Sequence, residues 1–287
     1  MKRVWLKKIY LITHLYNIDD KLRTCKLESF LKENFDVEIY MPYRDSKEEN
    51  IDKNIWKQEI FYQDIKALNE ADIILGYVDG PDFDEGIGFE IGYARTIGKT
   101  VIILNSDFIK YRINGKISNK IDPLIDFLGI KFFQIKYSLD FENFCKSLEE
   151  KYSQLLNLVD LDCKGNILNL KKLKEKNDYF IETGNEKFFY YMFYNSNISQ
   201  RLYTFDAKED LNNLLTSKKV YIYSNGMQMH FGSAIIVGIC YALKIPFFII
   251  NDRLIYIKGK ELMKANLMID VACEGYIDVR DFINEFK

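Results

Sequence analysis

Histidine is scarce in this chain. Only His14 and His230 occur in 287 residues, so chemistry built on several imidazoles has few candidates. His14 falls near the end of a predicted strand and His230 in a loop, and an ordinary polar role suits each. The cysteines, Cys25, Cys145, Cys163, Cys240 and Cys273, are odd in number and scattered, with no C-x-x-C pair. That argues against a disulfide framework and against a zinc site. Neither sign of charge dominates: 40 basic against 42 acidic residues leave a net charge of -2, giving no electrostatic case for nucleic acid or an anionic membrane as partner. The longest apolar stretch, Ser233 to Ile250, is interrupted by Lys244 and Pro246 and reads as a helix followed by a strand, not as a membrane span. The N-terminus, MKRVWLKKIYLITHLYN, has charge but neither a long apolar core nor a small-residue cleavage site. The expected setting is the cytoplasm.

What is present describes a folded chain. Hydrophobic residues make up 48% and charged residues 29%, within the globular range, and the length suits one or two domains. The decisive stretch is Asp79 to Leu104. An apolar run, Ile73 to Val78, precedes it, and Val101 to Leu104 closes it. Short aliphatic runs of this kind suit strands buried on both faces of a parallel sheet. Between them Ile87, Ile91 and Ala94 recur at helical spacing, and Gly98 is placed to end the helix. The order is strand, acidic glycine-rich loop, helix, strand.

Glu90 breaks that pattern. It falls between Ala94 and Ile97 on the helical wheel, inside the apolar stripe, where a carboxylate is costly without a partner or a function. Gly86 and Gly88 just before it would let a ligand approach the backbone. Asp84 lies in the loop at the strand end where open α/β sheets bind ligands. A salt-bridged, purely structural Glu90 is the competing explanation.

Further elements follow in order. Lys8 to Leu15 reads as a first strand, Asp20 to Asn34 as a helix and Val37 to Tyr40 as a second strand. Asp45 to Asn54 is a charged loop or helix start, and Ile55 to Asn69 is a helix carrying Asp64. Asp107 to Asp122 looks polar and loop-like, Asp140 to Asn157 helical, and Asp162 to Asp178 a linker. Beyond it the chain echoes itself. Lys187 to Asn195 resembles the first strand. A gap-free shift of 146 residues places Asp64 on Asp210, Gly86 on Gly232, Gly92 on Gly238 and Thr100 to Ile103 on Pro246 to Ile249. Under that shift Glu90 meets Ile236 and Asp84 meets His230. The helix therefore needs no carboxylate for packing, which favours function for Glu90.

These residues resemble the nucleoside 2-deoxyribosyltransferases: Asp64, then Asp84-Glu85-Gly86-Ile87-Gly88-Phe89-Glu90-Ile91-Gly92-Tyr93-Ala94, then Asn266-Leu267-Met268. The resemblance implies a retaining exchange of the base of a 2'-deoxynucleoside donor for a free nucleobase acceptor, with neither metal nor organic cofactor. It further implies Glu90 as the nucleophile, with Asp84 and Asp64 handling the base and its proton. Tyr10 would position the nucleophile, and Asn266 and Met268 would reach the sugar and the catalytic carboxylate from a neighbouring subunit. The first half has Asp122-Pro123-Leu124 where the second has Asn266-Leu267-Met268. The expected architecture is therefore α/β, with two flavodoxin- or Rossmann-like parallel-sheet halves forming an intrachain pseudo-dimer. Residues 1–160 would be catalytic, 161–178 a linker, and 179–287 a repeat without the nucleophile. The chain departs from the family in carrying Ile12-Thr13-His14 where a glycine-containing turn is common.

Two other motifs fail on context. Gly92 to Thr100 has five residues between its glycines where a P-loop has four, and it leads from helix to strand, the reverse of the P-loop order. The Gly86-Gly88-Gly92 spacing of a dinucleotide fingerprint sits among acids where a pyrophosphate would have to bind. Hydrolysis of a deoxynucleoside or its 5'-monophosphate, and ligand sensing without turnover, stand as alternatives to transfer.

Overall fold

The structure is a computed structural model. It describes residues 7–14, 18–46, 55–79, 84–105, 111–113, 116–118, 123–134, 177–183, 207–224, 229, 231–251, 256–257, 260–261, 266–278 and 281–282. The chain forms two compact units. The first comprises residues 1–83, 97–121 and 128–168, and the second 84–96, 122–127 and 169–287.

The first unit holds a five-stranded parallel sheet in the order β2-β1-β3-β4-β7. Its strands are β1 (Lys7–Thr13), β2 (Val37–Tyr40), β3 (Ile73–Tyr77), β4 (Thr100–Asn105) and β7 (Lys131–Gln134). Helices α1 (Ile18–Asn34), α2 (Pro42–Asp45) and α3 (Trp56–Glu70) belong to this unit. Every residue of β3 is buried, as the aliphatic run requires of a central parallel strand. Ile9, Leu11, Ile73, Leu75, Ile102 and Leu104 pack in one cluster with Leu27 and Leu31 of α1. At the carboxyl ends Val78 N donates to Leu104 O at 2.9 Å, and Asn105 Nδ2 donates to Val78 O at 2.7 Å. These bonds fix the chain where it leaves β3 towards Asp79.

The segment Asp107 to Asp122, expected to be a loop, contains an antiparallel pair, β5 (Tyr111–Ile113) and β6 (Lys116–Ser118). An Asn114-Gly115 dipeptide separates the two strands in sequence, the strongest short signal for a two-residue hairpin turn. The expected helix at 140–157 lies outside the described residues.

The second unit holds a four-stranded parallel sheet in the order β13-β10-β9-β8. These strands are β8 (Asn177–Thr183), β9 (Ser217–Ser224), β10 (Phe247–Asn251) and β13 (Gly275–Asp278). Its helices are α4 (Glu85–Thr96), α5 (Pro123–Phe127), α6 (Ala207–Leu215), α7 (Phe231–Leu243) and α8 (Leu267–Ala272). A short antiparallel pair, β11 (Tyr256–Ile257) and β12 (Lys260–Glu261), completes the described elements. The strand beside β9 begins at Asn177, two residues inside the expected linker, while the expected echo at 187–195 lies outside the described residues.

Helix α4 stands between β3 and β4 in sequence but clusters with the second unit, against α7. A Cβ built on Gly92 would stand 2.0 Å from Ile235 O, and one on Gly238 would stand 2.0 Å from Phe89 O. Only glycine lets the two backbones come this close. Beside the crossing, Tyr241 packs on Phe89 and on Tyr93, with ring centroids 5.7 Å apart in each pair. Residues Glu85 to Arg95 are all buried, so α4 lacks the wet face assumed in placing Glu90 on an apolar stripe. A helix covered this completely has no solvent side for a polar residue.

Both helices end in a left-handed residue, Gly98 at φ 84° after α4 and Lys244 at φ 56° after α7. After α7, Lys244 N donates to Tyr241 O at 3.2 Å and Ile245 N to Cys240 O at 2.9 Å, the paired bonds of a Schellman cap.

Candidate active site

In the second unit, the acidic loop residue Asp84 directly precedes α4 and caps it. Its Oδ1 accepts from Gly86 N at 2.6 Å, satisfying a helix-start amide that has no partner within the helix. The same oxygen accepts from Asn266 Nδ2 at 2.8 Å. Asn266 is itself the N-cap of α8, its Oδ1 accepting from Met268 N at 2.9 Å. With the carbonyl end of the amide committed to its own helix, the NH2 end is aimed at Asp84. A Cβ on Gly86 would lie 2.9 Å from both side-chain polar atoms of Asn266 and 3.0 Å from Asp84 Oδ1. A larger residue there would wedge the pair apart.

Glu90 is buried, at 7% exposed. It lies one helical turn after Gly86, and α4 meets α7 along the stripe of Gly88, Phe89 and Gly92. At 100° per residue Glu90 therefore lies on the flank that carries Gly86, turned from α7. Gly88 has a packing reason to be glycine, because a Cβ there would fall 2.7 Å from that of Ala234. Met268 is buried in the first turn of α8.

Sequence reading passed over Glu85. Its carboxylate is buried and accepts two backbone amides: Oε1 from Met229 N and Oε2 from Asn266 N at 3.1 Å. Burial pushes its carboxyl above the usual range, against the lowering effect of those two amides. A signal was available, since the 146-residue shift sets Phe231 opposite Glu85 just as it sets Ile236 opposite Glu90.

In the first unit, Tyr10 and Tyr40 are register partners on β1 and β2, and their rings stack at 5.4 Å. Tyr40 Oη donates to Asp64 Oδ1 at 2.8 Å, and Ser46 Oγ donates to the same oxygen at 2.8 Å. Asp64 projects from α3 and is buried. Burial pushes its carboxyl up to about 6, although the two hydroxyl donors pull the other way. Tyr40 is raised as well, first by burial and then by the Asp64 charge. Tyr40 and Ser46 were not anticipated, because nothing in their local sequence points at a residue on α3.

The structure thus brings Asp84, Gly86, Asn266 and Met268 together in one unit, with Glu90 one turn along the same helix. It joins Tyr10 to Asp64 through Tyr40 in the other. Chemically the first group offers buried carboxylates at and just after the start of α4. The second offers a carboxyl pushed up to about 6, closer to the range in which a carboxyl can exchange a proton at physiological pH. Among the described residues no group of three His, Cys, Asp or Glu stands as metal ligands would, and no helix is long and apolar enough to cross a membrane.

The family profile described as nucleoside 2-deoxyribosyltransferase matches residues 9–159. A protein of Thermofilum pendens, provisionally named 2'-deoxynucleoside 5'-phosphate N-hydrolase 1, is 40% identical over 55 residues. That match covers 19% of this chain and 37% of the relative. Among solved structures, the 2-deoxyribosyltransferase of Bacillus psychrosaccharolyticus is 24% identical, with a TM-score of 0.32 over 36% of this chain and 74% of that one. A conserved protein of Enterococcus faecalis V583 is 18% identical, also with a TM-score of 0.32, over 55% of this chain and 78% of that one.

Proposed function

Because the chain belongs to the nucleoside 2-deoxyribosyltransferase family, we propose that it exchanges the base of a 2'-deoxynucleoside through a covalent deoxyribosyl ester on Glu90. In the first step a Glu90 carboxylate oxygen bonds to the anomeric carbon as the carbon–nitrogen bond to the base breaks. The departing base nitrogen takes a proton from a carboxyl. In the second step the nitrogen of another base attacks the same carbon, the ester bond breaks, and the incoming base returns a proton. Two displacements retain the configuration, as in glycosidases with a carboxylate nucleophile.

The roles follow the chemistry of each side chain. Asp64, whose carboxyl is pushed up to about 6, supplies and recovers the proton. Asp84, steered by Gly86 N and Asn266 Nδ2, orients the base. Tyr10 positions the reacting groups, and Met268 lines the sugar side. The observation that carries the proposal is the Asp84–Asn266 bond, which seats a residue of the chain's C-terminal part on a catalytic carboxylate of its N-terminal part.

That bond also favours a duplicated chain acting as its own partner, with residues 1–160 catalytic and 179–287 lacking the nucleophile. Three features support the duplication. The strand order β7-β4-β3-β1 recurs as β13-β10-β9-β8. Residues 85 and 98, shifted by 146, give 231 and 244, the start of α7 and its left-handed cap. The glycine contacts of α4 and α7 are reciprocal under the same shift.

A second reading has the deoxyribosyl group passed to water from a 5'-monophosphate, which the 55-residue likeness to the Thermofilum pendens protein favours. One experiment tests both. Purified protein is incubated with a deoxynucleoside or its 5'-monophosphate, with and without a second free base. Transfer gives a new deoxynucleoside only when the acceptor is present. Hydrolysis releases the base without it, together with 2-deoxyribose from the nucleoside or 2-deoxyribose 5-phosphate from the monophosphate.

A further inference from the structure

We infer that Glu85 is a positioning residue, whose carboxylate clamps the backbone of Asn266 so that the Asn266 side chain holds Asp84 in its working orientation. The inference rests on the proposed role of Asp84, and it adds to that role a residue that never touches substrate.

The argument is geometric. Glu85 is 5% exposed, so both carboxylate oxygens need donors. Their partners come from two separate segments, Met229 ahead of α7 and Asn266 ahead of α8. Asn266 is therefore held at three points: its N–H by Glu85, its Oδ1 by Met268 N at 2.9 Å, and its Nδ2 by Asp84 at 2.8 Å. Remove the first and the cap of a six-residue helix must keep the amide aligned alone. Consecutive residues Asp84 and Glu85 thus grip the backbone and side chain of one asparagine. The 146-residue shift places Phe231 at the position of Glu85, so the grip is built on one side of the crossing only.

A glutamine at this position would present an NH2 to one of the two amides, setting donor against donor, while keeping the shape. Glu85→Gln should lower kcat about tenfold or more, as small misplacements of a reacting group do, with KM changed much less. Asn266→Ala should give a similar loss. Because the two act in series, the double variant should be no worse than the poorer single variant. Multiplying losses would overturn the inference, and so would an unchanged kcat in Glu85→Gln.

A readout independent of turnover keeps the test decisive if the protein proves to have no deoxyribosyl activity at all. The Asn266 side-chain amide protons, followed by nitrogen-15 NMR, should be protected from solvent exchange in the wild type and exposed in Glu85→Gln. Equal protection in both would refute the clamp whatever the enzyme does. Should Glu85→Gln fail to fold, Glu85→Asp, one methylene shorter with the charge kept, serves in the same cycle and should show the same failure to add to Asn266→Ala.

Discussion

Gly92 and Gly238 hold equivalent places in a single helix crossing: each lies where a side chain would collide with a backbone carbonyl of the other's helix, at Ile235 and Phe89 respectively. The crossing fixes α4, the helix that carries Glu85, Gly86 and Glu90, against α7.

Alanine at either glycine should therefore be costly. At 2.0 Å from a backbone oxygen the new methyl cannot be accommodated by a rotamer change, so the helices must part. We expect Gly92→Ala and Gly238→Ala each to destabilise by about 2 kcal/mol or more, seen as a lower urea midpoint. An unchanged midpoint would show that the crossing is looser than described.

Lys244 offers the opposite case. It is an exposed lysine held at φ 56° as the cap of α7, where the equivalent residue after α4 is Gly98. A side chain in the left-handed region costs about 1 kcal/mol. Lys244→Gly should raise stability by up to about 1 kcal/mol, measured by thermal or urea unfolding.

Asp64 links stability and pH. Its carboxyl titrates near 6 in the folded protein and near 3.9 in an unfolded chain, so the folded state holds the proton more tightly. The stability associated with it is complete below about pH 4 and is lost as pH rises through about 6, up to about 3 kcal/mol in all. Asp64→Asn keeps the shape and an acceptor for Tyr40 and Ser46. It should flatten that part of the pH–stability curve.

The same group should shape the pH dependence of activity. If Asp64 delivers the proton, turnover falls as pH rises above about 6. Tyr40 donates to its carboxylate and so favours the ionised form. Tyr40→Phe should move the falling limb to higher pH. A limb that stays put would remove Asp64 from the proton path.

Much of this was legible in the sequence because it is local. The aliphatic runs of β3 and β4, the helical spacing of α4 and the capping Gly98 each follow from neighbouring residues. Glu90 stood out as a carboxylate on an apolar stripe, and Asp84 by its place in the loop that follows β3. What could not be read depends on distant partners. Tyr40 and Ser46 matter through Asp64 on α3, and Glu85 matters through amides at 229 and 266. The burial of α4 on all sides was hidden for the same reason, since the partner covering it lies about 146 residues away in sequence. The hairpin β5–β6 was legible in principle from its Asn-Gly pair, but its strands are too short for alternation to register.

The chemistry proposed for Glu90 is tested most directly by intact mass spectrometry of the protein mixed with a 2'-deoxynucleoside donor and no acceptor base. The wild-type protein should gain the mass of one deoxyribosyl group, mapped by peptide analysis to Glu90, and Glu90→Gln should gain none while keeping its fold. A wild-type protein that turns over donor without the adduct, or a Glu90→Gln protein that still forms it, would contradict the account.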